Sequence, residues 1–137
     1  MMTNKAEVYF ALTGEDFDPD AFSKDSGLIP TKSWKKGEKG RYVDFYKFSS
    51  WQLNEEVVEG EVILVDEVAD KLINRIKDKA EVIKNYIDKH QLYSVLEVVL
   101  HVSMNEDIST PALGFKTSTI QFLNSVGAEI DVDIYRN

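Results

Sequence analysis

A chain of 137 residues, 43% hydrophobic and 29% charged, is long enough to bury the core of one domain and too apolar to be disordered. It contains no cysteine, which excludes disulfides, thiolate zinc sites and cysteine nucleophiles and fits a reducing cytoplasm. A net charge of -8 argues against general binding to nucleic acid or an anionic membrane. The charge is uneven: Lys32, Lys35, Lys36, Lys39 and Arg41 against Glu38 give a local +4 and leave -12 for the rest.

The opening segment has only a short apolar run, Val8 to Leu12, so neither a signal peptide nor a membrane span is expected, and the protein reads as cytoplasmic. From Lys5 to Leu12, Ala6, Val8, Phe10 and Leu12 alternate with Glu7, Tyr9 and Ala11, the pattern of a half-buried strand. FDPDAFSKDSGL then reads as a short helix. Asp18 suits its N-cap, Pro19 its first position and Asp20 the positive end of its dipole. Gly27 suits the stop, and Pro30 prevents continuation.

SWKKGEKG, with two glycines, predicts a loop or hairpin, and RYVDFYKFSSWQL a strand with imperfect alternation. Val65, Val68, Leu72, Ile76, Ala80, Ile83 and Ile87 recur at gaps of three and four and define a helical face. The polar KDKAE in its middle leaves one long helix or two in tandem open. YSVLEVVLHVSM is a strand, with Leu96, Val98, Leu100, Val102 and Met104 on one face and Val95, Glu97, Val99, His101 and Ser103 on the other. FKTSTIQFLNSVG predicts a helix that buries Phe115, Ile120, Leu123 and Val126 and stops at Gly127. AEIDVDIY predicts a last strand, with Ala128, Ile130, Val132 and Ile134 inward and Glu129, Asp131, Asp133 and Tyr135 outward.

This order is a single α+β domain over residues 1–137. It reads as a ferredoxin-like βαββαβ unit plus a C-terminal αβ extension, with helices on one face of a mixed or mostly antiparallel sheet.

Three features invite a chemical reading. Asp16, Asp18 and Asp20 stand at alternate positions, as at the start of a calcium loop. That template wants glycine at its sixth position and glutamate at its twelfth, and here those are Ala21 and Gly27. Capping accounts for the run instead. The sheet face away from the helices gathers Glu7, Tyr9, Glu97, His101, Asp131, Asp133 and Tyr135, where an imidazole beside carboxylates could bind a divalent metal or act as an acid-base pair. With no second histidine at ligand spacing (His90 falls at a helix end), no metal is expected there, and tyrosines among carboxylates suit a wet partner surface. The basic loop offers Trp34, Lys35, Lys36 and Arg41 to an acidic partner or an anion, without any phosphate-loop fingerprint. No motif calls for an enzyme or a cofactor.

LTGEDFDP after the first strand, GLIPTKSWKKGE, SSWQL, the long amphipathic helical stretch and NSVGAEIDVDIY follow one another along nearly the whole chain. In that order the sequence resembles a bacterial family known as domain of unknown function 4279. The resemblance implies a small cytoplasmic protein without established activity, and immunity against polymorphic toxins is one setting suggested by analogy.

The expectation is therefore a non-enzymatic module that binds a protein partner through the acidic sheet face or the Trp34 loop, immunity being one version. The alternatives are an anionic-ligand binder or enzyme whose pocket joins Lys35, Lys36 and Arg41 to His101, and a homodimer formed through the exposed sheet or an edge strand.

Overall fold

The computed structural model describes residues 3–136. The first strand, β1 (Asn4–Gly14), buries Ala6, Val8, Phe10 and Leu12 on one side, as the alternation requires, and is held at its start by Asn4. The buried Asn4 amide donates to the Ser109 carbonyl at 2.7 Å, and its oxygen accepts from the Ser103 N–H at 2.8 Å. One side chain thus pins the loop that follows Val102 to the sheet.

Helix α1 (Pro19–Ser26) has the punctuation read from the sequence. The Asp18 carboxylate accepts from the Asp20 N–H at 3.0 Å, and Gly27 takes the left-handed conformation at φ 74° that closes the helix. Phe22 of α1 meets Trp51 edge-to-face at 4.8 Å, and the Trp51 indole N–H donates to Ser23 Oγ at 2.9 Å. Burying each such ring contributes about 1.5–3 kcal/mol.

Strands β2 (Lys32–Trp34) and β3 (Ser49–Asn54) form an antiparallel pair. The strand expected to begin at Arg41 starts only at Ser49. Residues 41–48 are irregular, because their aromatic residues lack the strict period of two that would place one set in the core. Strand β4 (Val58–Gly60), which nothing in the sequence signalled, pairs with Asn4–Ala6 of β1 below β3. Three residues are too few for a pattern.

The long amphipathic stretch is two helices, α2 (Val65–Ile76) and α3 (Ala80–His90), joined by a 3₁₀ turn at Lys77–Lys79 that buries nothing. With no apolar side chain in that turn, packing does not hold it in register with its neighbours. Gln91 ends α3 in the left-handed region at φ 53° without a glycine. Then come β5 (Tyr93–Val102), α4 (Thr117–Val126) and β6 (Glu129–Arg136).

The strand order is β2-β3-β1-β5-β6, with β4 also on β1. All pairs are antiparallel except β5 with β6, which α4 connects. The elements follow the βαββαβ-plus-αβ order, with β4 added. The pairing matches the ferredoxin-like expectation: β3 lies between β1 and β2, antiparallel to both, and β5 lies antiparallel on the other side of β1. The helices pack on one face, and a single core cluster draws on the sheet and all four α-helices. Among the described residues, no helix is long and apolar enough to cross a membrane.

The C-terminal elements differ from expectation. Helix α4 buries Leu123 and Val126 as expected, with Phe115 partly buried just before it, but Thr119 and Phe122 complete the stripe in place of Ile120, which is 51% exposed. Strand β6 is an edge strand, and Ile130 and Ile134 remain 38% and 55% exposed because α4 covers them incompletely. Met104 lies beyond the end of β5 and is exposed, while Ser103 is buried.

Candidate functional site

Two groups of candidate residues emerge, and the sheet keeps them apart. The acidic group occupies the face away from the helices. Pairing places Tyr9, Glu97 and Asp131 in one row across β1, β5 and β6. Glu7, Val99 and Asp133 form the next row, and Lys5, His101 and Tyr135 the row after that. The period of two that sends Phe10 and Leu96 into the core is what turns these residues outward.

His101 stacks on Tyr135 with centroids 5.5 Å apart, and its Nε2 lies 3.4 Å from Glu7. Glu97 is set apart from its neighbours: only 7% exposed, with an Oε1 sealed from water and no hydrogen-bond partner. One carboxylate oxygen each from Glu97, Asp131 and Asp133 lie within 4.8 Å of one another. Burial, then the adjoining Asp131 and Asp133 carboxylates, push the Glu97 carboxyl up to about 8. Tyr9 is also shifted upward, first by burial and then by Glu97, Asp133, Asp131 and Glu7. Among the described residues, the Glu97, Asp131 and Asp133 oxygens form the group able to hold a metal ion, and Glu97 is chemically able to hold a proton at neutral pH.

The second group is the β2–β3 connection, residues 35–48. Its neck is pinned by backbone bonds from Gly37 N–H to the Tyr46 carbonyl and from Tyr46 N–H to the Glu38 carbonyl, both 2.9 Å. Trp34 stacks on Tyr46 at 4.7 Å, and the Lys36 N–H donates to Ser49 Oγ at 2.9 Å. Lys35 is engaged elsewhere, 3.0 Å from Asp20 and 3.7 Å from Asp18 at the start of α1, and these carboxylates raise its pKa. The alternating aspartates thus serve a cap and an ion pair. Beyond the neck, the Arg41 guanidinium lies over the Tyr42 ring at 5.4 Å. Tyr42 is 88% and Phe45 66% exposed, with Val43 and Phe48 about half exposed. Residues 42–48 curl around a concavity of about 810 Å³ that they line themselves.

These two groups are not one pocket. Trp34 lies in the row of Ser50 and Thr13, and His101 in the row of Lys5. Eight residues along β1 and three strand spacings separate them, roughly 30 Å at about 3.3 Å per residue and about 4.8 Å per strand. Lys35, Lys36 and Arg41 therefore do not meet His101. Sequence reasoning missed the exposed Tyr42, Phe45 and Phe48, assigning them to a strand. The available signal was the broken alternation next to two glycines. It also treated Glu97 as one more solvated carboxylate, because burial on the open face comes from neighbours on other strands.

A family model for the domain of unknown function (DUF4279) matches residues 4–137, so the chain belongs to that family. No curated protein and no solved structure matches it.

Proposed function

We propose that this member of the DUF4279 family is a non-enzymatic binding module of the bacterial cytoplasm that docks a partner protein on loop 35–48. The observation that carries this reading is the outward display of Tyr42 and Phe45 on a loop whose neck is hydrogen-bonded and stacked. A contiguous exposed aromatic patch marks an interaction surface, and aromatic and arginine side chains supply most of the energy at such contacts. Lys36, Lys39, Arg41 and Lys47 surround it, against Glu38 and Asp44. The complementary partner therefore presents an apolar pocket with an acidic rim. The acidic body of the molecule works against an anionic membrane as the target.

A second reading uses the open face, where Glu7, Glu97, Glu129, Asp131 and Asp133 face solvent-side with Lys5 the one lysine or arginine on that face of the three strands. It suits a basic partner, as in an immunity-type complex, where acidic charge speeds capture.

Site-specific photo-crosslinking in the native host distinguishes them. A crosslinker at Tyr42 should trap one partner with an acidic contact region, and Phe45→Ala with Arg41→Ala should abolish the adduct. The same crosslinker at Asp133 should trap that partner poorly. Adducts at Asp133 alone favour the second reading, and adducts to a second copy of the chain indicate self-association. An unselective background at both positions refutes the docking proposal.

A further inference from the structure

The open face brings three carboxylates close together. Glu97 lies across the parallel β5–β6 pair from Asp131, and Asp133 is two residues further along β6 on the same side. Among the described residues, no lysine or arginine forms an ion pair with any of the three. Exposed Asp131 and Asp133 are at little cost in water. Glu97 is different, because it is 7% exposed and its buried Oε1 has no hydrogen-bond donor among the described residues. A buried carboxylate without a donor is costly unless a proton or a cation neutralises it.

We propose that Glu97, Asp131 and Asp133 form a divalent-cation site of the calcium class on the open face of the sheet, separate from the docking loop. Three oxygens within 4.8 Å of one another reach one ion at the Ca²⁺–oxygen distance of about 2.3–2.6 Å with side-chain closure of at most a few tenths of an ångström. Magnesium, at about 2.0–2.1 Å, requires opposite oxygens to close to about 4.2 Å and demands stricter octahedral geometry. Strand β6 is the sheet edge, so water has access to complete the shell. An all-oxygen, all-carboxylate set selects a hard cation over zinc or copper. With three protein ligands and an open side, affinity falls in the weak range, about 10⁻⁴–10⁻³ M.

Carboxylate ligands hold a cation only when deprotonated, so binding strengthens as pH rises. Glu7, His101 with its Tyr135 stack, Tyr9, Tyr93 and Glu129 share the open face with the triad. The Asn variants below separate their contribution from the triad's.

The test is calorimetric titration of the full chelator-treated chain with CaCl₂ and, in parallel, MgCl₂, at pH 6 and pH 8, with thermal unfolding followed alongside. Expected are one calcium site, weaker magnesium binding, proton release detected with buffers of different ionisation enthalpy, and at least about tenfold weaker affinity at pH 6 or in Asp131→Asn. Asp78→Asn, on the remote 3₁₀ turn, should bind as the parent does. Should Asp131→Asn unfold, Asp133→Asn serves in its place, and the proton release of the parent chain stands as a separate measure. No calcium heat and no rise in melting temperature up to about 10 mM would overturn the proposal. So would an equal rise in the Asn variants, which would mean general charge screening.

Discussion

The two faces of β1 and β5 are made from alternate residues of the same segments, yet they meet opposite physical demands. Phe10 and Leu96 are fully buried against the helices, whereas Tyr9 and Glu97, one residue away on each strand, belong to a polar face. On the helix side, each side chain is held by neighbours that gain nothing from charge. On the open side, carboxylates stand closer together than folding alone favours. A strand built for stability alone would not keep a carboxylate at an open-face position as enclosed as that of Glu97. The contrast separates residues that hold the molecule together from residues available for recognition.

The contrast is tested most strongly in the core. Phe10 is 0% exposed and packs edge-to-face on Phe122 at 6.3 Å. Phe10→Ala should cost about 3–5 kcal/mol, the range for a buried phenylalanine that leaves a cavity. Tyr9→Ala should cost less than half as much, because the half-exposed ring loses fewer contacts. Urea unfolding of both variants measures this. Equal losses would mean that the open face is packed in solution and that the two-faced description of the sheet is wrong.

The next test reverses the sign on the open face. Glu97 ionises near pH 4.5 when unfolded and near pH 8 in the folded chain. Between those values the native state holds the extra proton. Its contribution to stability is therefore complete below about pH 4.5 and is lost as pH rises through about 8. Glu97→Gln removes the titration. In chelator, its unfolding free energy should vary less across pH 5–9 than the parent's, and at pH 9 it should be the more stable by on the order of 1 kcal/mol. A parent profile as flat as the variant's would show that Glu97 ionises freely and is not enclosed.

The parts of the molecule legible in the sequence were those fixed by local periodicity or by local caps. Asp18, Pro19 and Gly27 punctuate α1 through contacts within a few residues, and the alternation of β1 and β5 reports burial directly. The helical stripe from Val65 to Ile87 was equally plain, although only packing decided that it breaks at Lys77–Lys79. What escaped depended on partners distant in the chain. Strand β4 exists because β1 leaves an edge open beside Asn4–Ala6, and Ile120, Ile130 and Ile134 are exposed because nothing lies beyond β6. The site followed the same division. The roster of open-face residues came from alternation, whereas the enclosure of Glu97 and the 30 Å gap to the Trp34 loop came from strand order.

The smallest expected effect is the one that most sharpens the division between holding and recognising. Tyr42 and Phe45 make large surfaces available without joining the core, since the core cluster has no member between Phe22 and Trp51 and the nearest partly buried residue packed on it there is Leu28. The neck contacts that shape the loop involve Trp34, Gly37, Glu38 and Tyr46 and leave both side chains out. Tyr42→Ser with Phe45→Ser should therefore change unfolding free energy by no more than about 0.5 kcal/mol, as for surface residues away from any structural device. With the crosslinker placed at Val43 instead, the same pair should remove the crosslinked partner. A stability loss well above about 1 kcal/mol would place these rings in a packed layer that the open loop does not show, and the docking surface would lose its argument. Unchanged stability with a lost partner would instead assign the two rings to recognition alone, in contrast to Phe10, whose removal acts through the fold.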